Sequence, residues 1–179
     1  MITPVEATLT KVRSQELACL PVFTGLPTNQ LKRLARLFGR ARFAAGDRVF
    51  AAGDAASQLY VLEAGEVVIR FEPDDGGCLD IASLYPGSAF GWSAAMKRAY
   101  YTASAICRTD VQALAIQATD LFRLMSENAA LHEVLLERIA EIAASRLNNL
   151  GRQVIRSLAA AQLSQTSRHT PDRLLIPRL

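Results

Sequence analysis

The hydrophobic pattern of this chain changes period twice. The first 40 residues read as helical. Val5, Leu9, Val12 and Leu17 recur at loose helical spacing, and Pro21 interrupts them. Thr28 predicts an N-cap for a helix over 29–38. Leu31, Leu34, Leu37 and Phe38 would line one face of it, with Lys32, Arg33 and Arg36 opposite and Gly39 at its end. From Arg40 the period becomes two. Leu59 and Val61, then Val67, Ile69 and Phe71, alternate around Ala64-Gly65, which predicts a hairpin. Gly46-Asp47, Gly53-Asp54, residues 73–77 and Pro86-Gly87 mark further turns. Short strands are expected at 79–84, 102–107 and 111–116. Beyond Thr119-Asp120 the helical period returns, first to Met125, then in a long helix from residue 128. Leu131, Leu135, Ile139, Ile142 and Leu147 share one face of that helix.

Short strands punctuated by turns, with helices on both sides, predict a mainly β fold with flanking α: an antiparallel sandwich or barrel followed by a long C-terminal helix. The expected units are a helical segment over 1–20, the β body with its own first helix over 21–127, the long helix over 128–163, and an irregular tail over 164–179 containing Pro171 and Pro177. No internal repeat or low-complexity segment is evident at this level.

Residues 86–105 read PGSAFGWSAAMKRAYYTASA. This stretch resembles the phosphate-binding cassette of the cyclic-nucleotide-binding domain, the sensor domain of regulators of the cAMP receptor protein and fumarate-nitrate regulator type. Gly46-Asp47, Gly53-Asp54, Tyr60-Val61-Leu62 with Gly65, Phe90-Gly91 and Thr102-Ala103 carry the resemblance, which covers about residues 20–150. It implies a jelly-roll β-roll of about eight strands with a ligand cavity under the cassette helix. In such domains Phe-Gly is followed by a Glu that takes the ribose hydroxyl, and a later Arg pairs with the cyclic phosphate. Here Trp92 stands at the Glu position and Tyr101 at the Arg position. Losing a charge-assisted pair of this kind costs about 2–3 kcal/mol of ligand binding.

The resemblance makes Phe90, Gly91, Trp92, Ser93, Ala94, Arg98, Tyr101, Thr102 and Ala103 the candidate ligand-binding residues. Three states of the pocket follow. Trp92 could plug it. Trp92, Tyr100 and Tyr101 could line it for another, flat ligand. A cyclic nucleotide could be held unusually, by backbone amides, Ser93, Thr102 and Arg98. Lys97 and Arg98 are expected in solvent. In the family the helix after the roll pairs two protomers, so Leu131, Leu135, Ile139 and Ile142 are the candidate seam of a homodimer, unless they pack on their own roll.

Charge and composition narrow the function. The net charge is +3, but residues 150–179 hold five Arg against Asp172 alone, so the body is near neutral and the tail basic. Cys19, Cys78 and Cys107 form no metal-binding or disulfide pattern, and His132 and His169 have no ligand-type partner at helical spacing. No catalytic motif, membrane span or secretory start is evident. Only 29 residues follow Leu150, too few for a winged helix-turn-helix of the usual size. The expectation is a cytoplasmic, non-enzymatic regulatory domain without a cofactor, acting through a protein partner or an unassigned small ligand. The alternatives are a genuine cAMP or cGMP sensor with non-standard contacts, and a DNA-associated regulator lacking its reader, whose basic tail would bind non-specifically.

Overall fold

The computed structural model describes residues 12–72, 77–138, 140–141 and 144–145. Ile139, Ile142, Leu147, the predicted helical residues before Val12, and the tail fall outside the described residues. Two short helices open the fold, α1 (Ser14–Ala18) and α2 (Thr28–Ala35), with a single 3-10 turn (Pro21–Phe23) between them. Thr28 is the first residue of α2 and not its cap; Pro27 holds the cap position without a side-chain bond. Eight strands follow: β1 (Gly39–Phe43), β2 (Arg48–Phe50), β3 (Gln58–Ala64), β4 (Val67–Phe71), β5 (Leu79–Leu84), β6 (Ala89–Phe90), β7 (Ser104–Cys107) and β8 (Val111–Gln117). Helix α3 (Trp92–Ala95) sits between β6 and β7, α4 (Ala118–Ser126) follows β8, and a terminal helix begins at residue 129.

The strands form two antiparallel four-stranded sheets, ordered β1-β8-β3-β6 and β2-β7-β4-β5. The chain changes sheet at nearly every turn, and β4–β5 is the one sequence-adjacent pair that hydrogen-bonds within a sheet. The predicted hairpin at Ala64-Gly65 is therefore corrected: β3 and β4 belong to opposite sheets, and the turn is a corner. Gly65 is needed there at φ 92°, because a Cβ would lie 2.3 Å from the Asp110 carbonyl oxygen. The β7–β8 corner crosses at the same place, where the Arg108 N–H donates to the Glu66 carbonyl at 2.8 Å and the Glu66 N–H to Thr109 Oγ1 at 3.0 Å.

A short echo went unpredicted. Phe-Ala-Ala-Gly-Asp occurs at 43–47 and again at 50–54. Each copy makes the same turn, with glycine at positive φ and the aspartate carboxylate accepting a backbone N–H at 2.8 Å, from Ala44 in one and Ala51 in the other.

The sheet containing β3 is buried on both faces, and this explains the unbroken apolar run Leu59-Tyr60-Val61-Leu62. Leu59 and Val61 face a helix-side core with Leu114, Ile116 and the side chains of α1, α2, α4 and the terminal helix. Tyr60 and Leu62 face the roll interior with Phe50, Val67, Ile69, Ala105 and Ala113. Adjacent residues of one strand feed different cores because side chains alternate across a sheet.

Candidate functional site

The cassette is the wall between these two cores. Strand β6 ends at Phe90, fully buried in the interior. Gly91 follows at φ 81°, where a Cβ would stand 2.7 Å from the Gln58 carbonyl oxygen. Only glycine fits this approach to β3 without displacement. All four residues of α3 are buried. Its two faces part company: Trp92 and Ala95 belong to the helix-side core, Ala94 to the interior.

Trp92 is 4% exposed, and its Nε1–H donates to the Ala89 carbonyl at 2.9 Å. The expectation that Trp92 plugs or lines the roll cavity is corrected. The indole is a core residue on the far side of the cassette, packed among helices, with its single donor satisfied.

Tyr101 takes the interior instead. It is 5% exposed, and its ring stacks on Phe50 at 3.8 Å between centroids and 14° between planes. Its hydroxyl donates to the Gln58 carbonyl at 2.7 Å and accepts the Gln58 N–H at 3.1 Å. The backbone on either side is held as well. The Tyr101 N–H donates to the Asp54 carbonyl and its carbonyl accepts the Gly53 N–H, both at 2.9 Å. Pairing of Tyr100 with Ala55 sends alternate side chains to opposite faces, so Tyr100 points to solvent and Tyr101 inward.

Further rings complete the interior. Tyr60 and Phe90 stack at 5.1 Å, Phe50 lies 6.0 Å from Tyr60 and 6.1 Å from Phe90, and Phe43 meets Tyr60 edge-on at 6.4 Å. The Tyr60 hydroxyl donates to Gln58 Oε1 at 2.6 Å. Burial pushes the Tyr101 and Tyr60 hydroxyls above their ordinary range, so both stay protonated. Phe50, Gln58 and Tyr60 were missed as candidate site residues. The repeated Phe-Ala-Ala-Gly-Asp, which places Phe50 where Phe43 stands one turn earlier, was the available signal.

The remaining candidates are scattered. Ser93 is buried, Ala103 half-buried and Thr102 exposed. Lys97 and Arg98 are exposed, and Lys97 Nζ lies 5.0 Å from the Phe122 ring centre, drawn toward α4. Beyond Thr102-Ala103, the Ser104 hydroxyl donates to Glu72 at 2.9 Å and accepts the Ala52 N–H at 3.0 Å, tying β7 to its neighbours. Among the described residues no Lys or Arg is buried. The interior therefore offers aromatic faces but no cation to an anion, and an unpaired buried phosphate is costly.

Leu131 and Leu135 are 0% and 1% exposed within a single chain, sealed into the helix-side core. Their assignment to a dimer seam is corrected: they hold the terminal helix to its own roll. Asn128 starts that helix, its side-chain oxygen accepting the Leu131 N–H at 3.1 Å. Surface grooves lie near Pro21, Leu84 and Gly87, and near Met96, Phe122 and His132; neither is lined by Phe50 or Tyr101.

An eight-stranded double-sheet roll, with a short helix inserted between β6 and β7 and helices against one face, is the architecture of a ligand-sensing regulatory domain. Residues 40–128 match the family model of the cyclic nucleotide-binding domain. A putative cyclic nucleotide-binding protein from Geobacter metallireducens is similar at 27% identity and a TM-score of 0.66, over 82% of this chain and 99% of that one. The regulatory subunit of a cAMP-independent protein kinase A from Trypanosoma cruzi, bound to guanosine, shares the fold at 20% identity and a TM-score of 0.62, over 71% of this chain and 44% of that one. Glutaminase 1 of Bradyrhizobium diazoefficiens is 29% identical over 134 residues, which is 74% of this chain and 21% of that protein. The chain thus spans about a fifth of the length of that curated relative. Among the described residues no helix is long and apolar enough to cross a membrane.

Proposed function

We propose that this chain is a non-enzymatic, cytoplasmic regulatory domain whose cassette has lost its cyclic nucleotide and which acts through protein contacts. The observation that carries this reading is the Tyr101 ring, stacked on Phe50 and hydrogen-bonded to both backbone groups of Gln58. A nucleotide entering the interior would have to expel that ring, and would then find no buried cation for its phosphate. The similarity to about a fifth of a larger protein is consistent with a domain joined to others. A homodimer remains part of the reading. Leu136, 49% exposed on the same helix as the sealed Leu131 and Leu135, is the residue proposed for its seam.

The test is calorimetric titration of the full chain with cAMP, cGMP and guanosine. No saturable heat is expected at millimolar ligand; affinity in the low micromolar range for either cyclic nucleotide would overturn the reading. Sedimentation of the wild type and Leu136→Glu tests the dimer, which the substitution is expected to dissociate.

A further inference from the structure

The interior does more than exclude a ligand. We propose that Tyr101 is the domain's own ligand: its ring fills an aromatic-ring site in the roll interior and thereby holds α3, α4 and the terminal helix in their packed arrangement. This rests on the reading that the interior is closed to cyclic nucleotides.

The site has the features of a binding site for a neutral planar ring with one hydroxyl. Phe50 supplies a stacking face at 3.8 Å, and Gln58 supplies a donor and an acceptor that both meet one hydroxyl oxygen. Small side chains at Ala94, Ala105 and Ala113 leave room for the rings. Compared with a merely structural tyrosine, Tyr101 occupies an unusual place. It follows α3 by six residues and pairs back to 53–54, so the ring closes the segment that carries α3. On the other face of α3, Trp92 and Ala95 lie in one core with Leu121, Leu124, Leu131 and Leu135. Phe122 of α4 packs against both cores. Emptying the ring site would therefore loosen the wall against which the terminal helix rests.

The experiment combines Tyr101→Gly, Tyr101→Phe and a control, Val68→Ala. Val68 is buried on β4 but belongs to neither core, so it reports destabilisation that does not pass through α3. Two readouts are used: the emission of Trp92, the single tryptophan of the chain, and amide hydrogen exchange across α3, α4 and 129–138. Tyr101→Gly is expected to red-shift Trp92 and speed exchange in those helices about tenfold beyond the Val68→Ala control at matched loss of Tm. Tyr101→Phe, which keeps the ring, is expected to stay near the wild type. Phenol at about 10 mM is expected to restore Tyr101→Gly, with cyclohexanol ineffective. Unchanged emission and exchange in folded Tyr101→Gly would overturn the proposal, as would equal rescue by cyclohexanol or none by phenol. If Tyr101→Gly does not fold, Tyr101→Leu is measured instead, and wild-type emission and exchange there would overturn it equally. Binding of cAMP to the wild type would sink the functional reading and this proposal with it, whereas a silent Trp92 would sink only this one.

Discussion

Trp92 and Tyr101, the two residues that depart from the resembled cassette, lie nine residues apart and face opposite cores. Trp92, at the position of the sugar-binding Glu, is buried among helices. Tyr101, at the position of the phosphate-binding Arg, is buried among the rings of the roll interior. The helix-side core is built mainly from leucine, valine and isoleucine, with Phe23 and Phe38 meeting edge-on at 5.6 Å. The interior is a stack of rings spaced by alanines. Trp92 thus serves as packing that fixes helices, and Tyr101 as packing that fills the roll interior. Replacing the two residues should therefore have separable consequences.

Trp92→Ala is expected to have the largest effect, a loss of about 4 kcal/mol of stability, since it empties a large buried volume and strands the Ala89 carbonyl. Urea unfolding measures it. A loss below about 1 kcal/mol would mean that the indole does not hold the helices. Gly91→Ala comes next at about 2 kcal/mol, from positive φ and the close Gln58 carbonyl. Because Gly91 precedes α3, this change is expected to disturb both cores, visible as faster exchange in β3 and α4 alike. Tyr101→Phe should cost about 1 kcal/mol, the net worth of hydrogen bonds to a half-buried backbone. It should leave Trp92 emission unchanged.

How much of this was legible follows from what hydrophobic periodicity can and cannot carry. A mainly β body of short strands with helices before and after it was readable, because turn residues and a change of period mark it, and the eight-strand roll followed from the resemblance carried by a fixed order of anchors. The partner of each strand was not. Alternation at Leu59, Val61, Val67 and Ile69 says that strands exist but not that the Gly65 turn crosses between sheets. The same limit hid the direction of Trp92. When both sides of a wall are apolar, a buried tryptophan is acceptable on either, and only the register after Gly91 decides. Leu131 and Leu135 show it a third time: a stripe at helical spacing suits a dimer seam and the helix's own roll equally, and burial in the single chain settles it. Tyr101 was read as a lost arginine. That it would be a gained plug required Phe50 and Gln58, which lie more than 40 residues away in sequence.

A pH dependence also sets the two cores apart. Burial pushes the Cys107 thiol, in the interior, up to about 11 from 9.0, and pushes the Tyr60 and Tyr101 hydroxyls above 10.0. The helix-side core buries no cysteine or tyrosine among the described residues. For a raised acid the folded protein holds its proton longer than the unfolded chain. The stability it contributes is complete below the unfolded value and is lost as pH rises toward the folded one. Stability should therefore be flat up to about pH 9, fall through pH 11 as the unfolded thiol ionises, and fall more steeply above pH 10 as the tyrosines join. Cys107→Ala should remove the first part of that fall, and Tyr101→Phe should trim the second. Urea unfolding from pH 8 to 11, followed by exchange in β7 and in 129–138, separates the cores. Loosening should begin in β7. If the terminal helix instead opened first, the loosening at high pH would not start from the interior, and the raised Cys107, Tyr60 and Tyr101 groups would not be its cause.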